Sequence, residues 1–337
     1  MTADVTDDDV RRLPKAEIHV HLEGCFEPAD VARLAREAGE PLPRPVERLF
    51  DVRGLDLSAF LELLDWSCGL VRTPDQLARA AYAFAEREAR VGVGYADLIV
   101  NPTHWAAWRD RLDAFVEALD AGLASAEADR LPRVGLCISL LRQQSAGAAL
   151  ELVDWVLERR HPRVVALSID GNEAAAGRTG PQFAEAFSRA AQAGLHRTVH
   201  AGESSGPEGV WDALEYLQAE RIDHGVRAVE DPALMAALAA RRVTLNVCPG
   251  SNVKLGLYPD LSAHPLETLR QAGVPVSINT DDPALMATDL VSEYLAAARA
   301  FGWDRAVVRQ VARTSIAASF CDADTRGRLL AAADDPL

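Results

Sequence analysis

Short apolar runs rich in β-branched residues recur along the chain, and most are followed by longer stretches in which apolar positions return every three or four residues. The runs fall at residues 16–21, 95–100, 133–140, 164–169, 196–200, 221–224, 243–247 and 274–279. Between them lie segments rich in Ala, Leu, Glu and Arg, of which 76–91 and 181–193 show the period of an amphipathic helix most clearly. Strands alternating with helices imply a parallel sheet, because each return to a parallel neighbour needs a crossover. Eight such strands in one undivided chain of 337 residues predict the α/β class and a closed (β/α)8 TIM-type barrel, with 1–337 forming a single domain. A doubly wound open sheet is the alternative, but no Gly-x-Gly-x-x-Gly follows the first strand. The long interval 22–94 between the first two strands is expected to hold extra helices. Its apolar run 57–64, with Phe60, Leu61, Leu63 and Leu64, suits a lid over the barrel mouth or, equally, a helix stripe facing the core.

Composition narrows the class. Hydrophobic residues make up 49% of the chain and charged residues 25%, enough apolar surface for a large core. A formal net charge of -15 repels nucleic-acid backbones and anionic membranes, so neither is an expected partner. The 5 cysteines (Cys25, Cys68, Cys137, Cys248, Cys321) are scattered and form no Cys-x-x-Cys, as reduced thiols in a cytoplasm would be. The N-terminal segment is acidic (Asp4, Asp7, Asp8, Asp9), and no apolar run reaches the length of a membrane span, so a cytoplasmic protein is expected. Its oligomeric state is not legible.

The candidate chemistry sits at the ends of the expected strands. His19 and His21 close the first, and strand alternation sends residues i and i+2 to one face, so both imidazoles converge. His200 closes the fifth strand, His224 the sixth, and Asp281-Asp282 follow the eighth. Taken singly, each has a plain structural explanation; Asp281-Asp282 before Pro283, for example, has the form of a helix cap. Together they gather at the C-terminal rim, where barrels of this type carry catalytic groups. Three imidazoles and a carboxylate suit zinc or a similar first-row ion, which makes hydroxide available near neutral pH. Glu203, three residues after His200, is placed to carry a proton in the same pocket.

These residues form motifs that resemble the adenosine/adenine deaminase family, a group of amidohydrolase-type metal-dependent hydrolases. The matching segments are Pro14-Lys15-Ala16-Glu17-Ile18-His19-Val20-His21-Leu22-Glu23-Gly24, His200-Ala201-Gly202-Glu203, Arg221-Ile222-Asp223-His224-Gly225 and Ser277-Ile278-Asn279-Thr280-Asp281-Asp282-Pro283. They occur in the family's order and span residues 14 to 283. The resemblance implies a barrel holding one zinc ion, with His19, His21, His200 and Asp281 as its protein ligands. It further implies that Glu203 donates a proton to purine N1, while His224 orients and deprotonates the water that adds to C6, and ammonia leaves. Asp282 would bond N7, and the backbone N–H of Gly171, in Ser168-Ile169-Asp170-Gly171-Asn172-Glu173, would face N3.

The implied activity is hydrolytic deamination of a 6-aminopurine nucleoside: adenosine, 2′-deoxyadenosine or a 5′-modified adenosine. Deamination of free adenine to hypoxanthine is the alternative. Members acting on adenosine usually carry Asp two residues after the second metal histidine and Gly before the later catalytic histidine. Here these positions hold Glu23 and Asp223, which, with the run 251–255, look more like the adenine type. Segments 277–283 and 288–294 look more like the adenosine type. Glu23 and Asp223 are accordingly expected at the substrate. Relatives with two metals usually carry a bridging Lys near the end of strand four; this strand ends Ser168-Ile169-Asp170-Gly171, without one. A non-catalytic purine-binding protein is the remaining reading.

Overall fold

The computed structural model describes residues 5–52 and 57–334. Asp4 and the side chain of Leu57 lie outside the described residues. Eight parallel strands run in sequence order around a barrel: β1 Lys15–His21, β2 Val93–Val100, β3 Arg133–Leu141, β4 Val164–Asp170, β5 His196–Ala201, β6 Arg221–His224, β7 Thr244–Val247 and β8 Val276–Ile278. All eight expected strands are present, displaced by no more than two residues at either end.

The seam between β8 and β1 is the irregular part. Val20 forms an isolated parallel bridge with Asp281, the Asp281 N–H donates to the His19 carbonyl at 3.2 Å, and the His21 N–H donates to the Asp281 carbonyl at 2.8 Å. Below it, the Ile18 N–H is satisfied by the Asn279 side chain at 2.9 Å. Asp281 is thus held in the barrel wall, and its expected alternative role as a helix cap does not arise. The strand residues Ile18, Val20, Leu98, Leu136, Ile138, Leu167 and Ile278 are fully buried, as they must be in strands covered by helices outside and packed side chains inside.

Helices return the chain between strands. Pro74–Arg90 starts with a capping box, in which the Thr73 hydroxyl accepts from Gln76 and the Gln76 side chain answers to the Thr73 N–H. Leu77, Ala81, Phe84 and Ala85 form its buried stripe. The interval between β1 and β2 holds the expected extra helices, Pro28–Ala38 and Leu57–Gly69, before Pro74–Arg90. A further helix, Asp7–Arg12, precedes β1; its acidic run lies in the first turn, where the helix dipole favours negative charge. The barrel floor is closed by Arg221, fully buried, whose guanidinium pairs with Asp97 at 2.6 Å and stacks 3.7 Å from the Phe320 ring centre. No helix among the described residues is long and apolar enough to cross a membrane.

Candidate metal centre and active site

The ends of β1, β5 and β6 and the turn after β8 bring four imidazoles and a carboxylate to one point. His19 Nε2 and His21 Nε2 each lie 3.0 Å from His200 Nε2. Asp281 Oδ1 is 3.3 Å from His19 Nε2 and 3.5 Å from His21 Nε2. His19, His200, His224 and Asp281 are buried and offer ligand atoms that all lie within 4.8 Å of one another. Asp281 and His224 adopt φ of 67° and 64°, a left-handed backbone unusual outside glycine and concentrated at functional sites.

Partners behind the cluster fix the ring orientations. His19 Nδ1 lies 2.9 Å from the Asn246 carbonyl, and the Ser251 hydroxyl donates to Asp281 Oδ2 at 2.7 Å. Asp223 accepts from the Thr198 hydroxyl and from the Asn246 amide, both at 2.7 Å, and its Oδ2 lies 3.4 Å from His200 Nδ1. Such outer contacts typically orient metal-bound histidines.

The donor set fits a divalent cation. Two Nε2–Nε2 approaches of 3.0 Å, one buried and one partly buried, point imidazole lone pairs at one another, and each pair can share only one proton. Burial opposes charge throughout, but Asp223 and Asp281 raise His19 to about 9. Burial, reinforced by the surrounding histidines, holds His200 well below the ordinary range. The carboxylates therefore favour one positive charge among imidazoles that are otherwise neutral, which is the environment of a zinc ion.

Beside the cluster, Glu203 Oε1 lies 3.5 Å from His224 Nε2. Their environments push them in opposite directions. Burial, then the charges of Asp281 and Glu173, raise Glu203 to about 8, so near neutrality it holds a proton. Burial, then His19, lower His224 to about 3, so its ring is neutral. Asn252 Nδ2 lies 3.3 Å from His224 Nδ1, and Asn252 Oδ1 lies 3.1 Å from His264 Nε2, a relay that orients the ring.

These groups open on a cavity of ≈50 Å³ whose wall includes Glu23, His104, Gly171 and Asp282. Phe60, Leu61 and Leu64 of the helix Leu57–Gly69 roof it, while Phe60, Leu63 and Leu64 are also part of the core, so the two expectations for this run coincide in one helix. His104 Nδ1, 2.5 Å from Asp65 Oδ1, ties that helix to the loop after β2. Larger cavities of ≈600 and ≈860 Å³ lie at the opposite end, around the starts of β3, β5 and β7 and remote from the metal cluster.

Glu23 Oε1 accepts from the Asn101 N–H at 2.8 Å and from Trp105 Nε1 at 2.7 Å, leaving its buried Oε2 without a partner. Asp282 Oδ1 is likewise buried and unpartnered. Gly171 has φ of 98°, and a Cβ there would lie 2.7 Å from Gln143 Oε1. Asp223 is placed differently from its expected position at the substrate. It sits beneath His200 rather than in the cavity wall, because its carboxylate is engaged by Thr198 and Asn246 one layer deeper. Sequence reasoning missed His104, His264 and Glu173. His104 and His264 are single residues in loops, with no strand-end position to mark them.

An eight-stranded barrel with a histidine-rich cluster able to hold a metal at its C-terminal rim, and Glu203 and His224 beside it, fits a metal-dependent hydrolase of the amidohydrolase type. Residues 14–336 match the family model for adenosine deaminase, and the chain belongs to that family. It is 37% identical over 320 residues to an adenine deaminase of Sinorhizobium medicae, covering 95% of this chain and 98% of the relative. It is also 37% identical over 343 residues to an aminodeoxyfutalosine deaminase of Streptomyces coelicolor, covering 98% and 88%. A zinc-bound amidohydrolase structure from Burkholderia ambifaria superposes with a TM-score of 0.89 at 27% identity, covering 98% of this chain and 93% of that one.

Proposed function

We propose that the protein is a zinc-dependent aminohydrolase that replaces the 6-amino group of a purine by oxygen and releases ammonia. The observation that carries this reading is the pairing, within one cavity, of Glu203 and His224, 3.5 Å apart, against a buried cluster of imidazoles and carboxylate. One zinc ion per chain, held by His19, His21, His200 and Asp281, would supply Lewis acidity that makes water nucleophilic near neutral pH.

The rest follows from the residues themselves. Glu203 donates its proton to purine N1, which draws electron density from the ring and makes C6 electrophilic. His224 accepts a proton from the attacking water as the C6–O bond forms and returns it to the amino nitrogen, so that the C6–N bond breaks and ammonia leaves. The Asp282 carboxyl, with Oδ1 free, bonds N7, and the Gly171 N–H faces N3. Glu23 meets the substituent side of the base through its free Oε2, and Asp223 contributes by orienting His200. The barrel and its insertion act as one catalytic domain over 1–337. The 5 free, buried thiols suit a reducing compartment, as the cytoplasm is.

The substrate proposed is a nucleoside of the adenosine type. Free adenine is the second reading, and a specific observation favours it: beneath Phe60 and Leu61 the cavity has room for only a few water molecules on the usual volume measure. The base already requires the helix Leu57–Gly69 to move outward, and a nucleoside requires a larger movement. Ammonia release should be measured across adenine, adenosine, 2′-deoxyadenosine and 5′-substituted adenosines. At least one is expected to turn over to its 6-oxo product, with kcat/KM differing by about 100-fold or more between base and nucleoside, since a site that hydrogen-bonds a substrate group rejects analogues lacking it. Nucleosides at the head of the ranking support the first reading and adenine the second. No ammonia from any of them overturns both.

A further inference from the structure

The loop carrying Glu203 has an unusual anchor. Glu173, fully buried at the start of the short helix Glu173–Ala176 after β4, turns its carboxylate into the turn after β5. Its Oε1 accepts from the Gly202 N–H at 3.0 Å and the Ser205 hydroxyl at 2.9 Å. Its Oε2 accepts from the N–H groups of Glu203 at 2.8 Å, Ser204 at 3.1 Å and Ser205 at 3.4 Å. One side chain thus binds every backbone N–H from 202 to 205, the segment that departs from the barrel with Gly202 at φ of 65°.

Two further features serve the same contact. Gly209 lets the helix Pro207–Glu215 close over the carboxylate, since a Cβ there would lie 2.9 Å from Glu173 Oε1. From the other side, the buried Arg142 guanidinium donates to the His200 carbonyl and to the Thr179 hydroxyl. The backbone between His200 and Ser205 is therefore gripped by groups from the loops after β3 and β4, on its carbonyl side and on its N–H side.

We infer that Glu173 is a positioning residue, which holds the Glu203 side chain at the substrate by fixing the main chain of residues 202–205. This rests on the reading of Glu203 as the proton donor. Glu173 itself lies outside the cavity wall, so it acts on Glu203 from behind, through the loop and through its charge. Rigidly held loops of this kind matter because a displacement of about 1 Å in a reacting group costs on the order of 100-fold in rate.

The test is a double-mutant cycle in the zinc-loaded enzyme. Glu173→Gln, which keeps the volume but turns an amide towards backbone donors, is expected to lower kcat by about 100-fold. KM and zinc content should stay as in the parent. In a Glu203→Gln background the same substitution is expected to leave the residual kcat unchanged, because the group it positions has gone. Ser205→Ala removes a single donor and is expected to lower kcat by about three- to tenfold, again only when Glu203 is present. It carries the test if Glu173→Gln does not fold. Parental kcat in whichever of these variants folds, or equal losses in both backgrounds, would overturn the inference. Full turnover in Glu203→Gln alone would instead overturn the proton-donor reading, so the two failures are distinct.

Discussion

Glu203→Gln is expected to lower kcat by about 10²- to 10⁴-fold, the range over which a positioned proton donor acts, while the bound metal is retained. The amide keeps the shape of the side chain but cannot give a proton to N1. Burial raises Glu203 to about 8, so the parental residue enters the reaction already protonated, and the variant lacks that one function. Zinc should remain because Glu203 is not among the clustered ligand atoms. KM should change little if N1 protonation develops in the transition state rather than on binding. Measuring kcat, KM and zinc by elemental analysis on the same preparation checks all three expectations. A variant with parental kcat would remove Glu203 from the mechanism.

Asp281→Ala is expected to have the second large effect, on metal binding and turnover together. Asp281 lies within 3.5 Å of both His19 and His21 and is the only carboxylate in the tight cluster found among the described residues. Its loss removes the carboxylate that lies among the imidazoles and leaves only the deeper Asp223 to favour a cation. Metal affinity is expected to fall by more than the 10- to 100-fold typical of outer-shell changes, on the order of 1,000-fold, with a parallel loss of activity at limiting zinc. Because a ligand that binds only the folded state stabilises it by about 4 kcal/mol at 1,000 times its Kd, the zinc-dependent rise in Tm should shrink in the variant. Calorimetric titration and thermal melts with and without zinc read both effects. An unchanged zinc affinity would place the metal elsewhere.

Much of this architecture is legible in the sequence, and for a physical reason. Strands buried on both faces produce dense apolar runs, and the eight runs identify the eight strands; β8 alone is markedly shorter than its run, because the seam uses Asn279 and Asp281 rather than a regular ladder. The cluster was legible because its residues sit at strand ends, where a period of two fixes the facing of His19 and His21. The outer contacts were not. Glu173 meets residues 202–205 across 29 to 32 positions, and His104 meets Asp65 across 39. Neither pairing follows from any local period, since only the closed barrel brings those loops together. Asp223 shows the same limit in reverse: its neighbour His224 faces the cavity, but depth within the barrel, which the local pattern does not encode, puts Asp223 under His200.

A single zinc ion at the His19, His21, His200 and Asp281 cluster is expected to drive 6-aminopurine hydrolysis. The most direct test is to strip the protein of metal, add zinc back in measured steps, and follow ammonia release from the best substrate at each step. Activity should be absent without metal, rise in proportion to zinc bound, and reach its plateau at one ion per chain. Full ammonia release from metal-free protein, or a plateau reached only at two ions per chain, would contradict it.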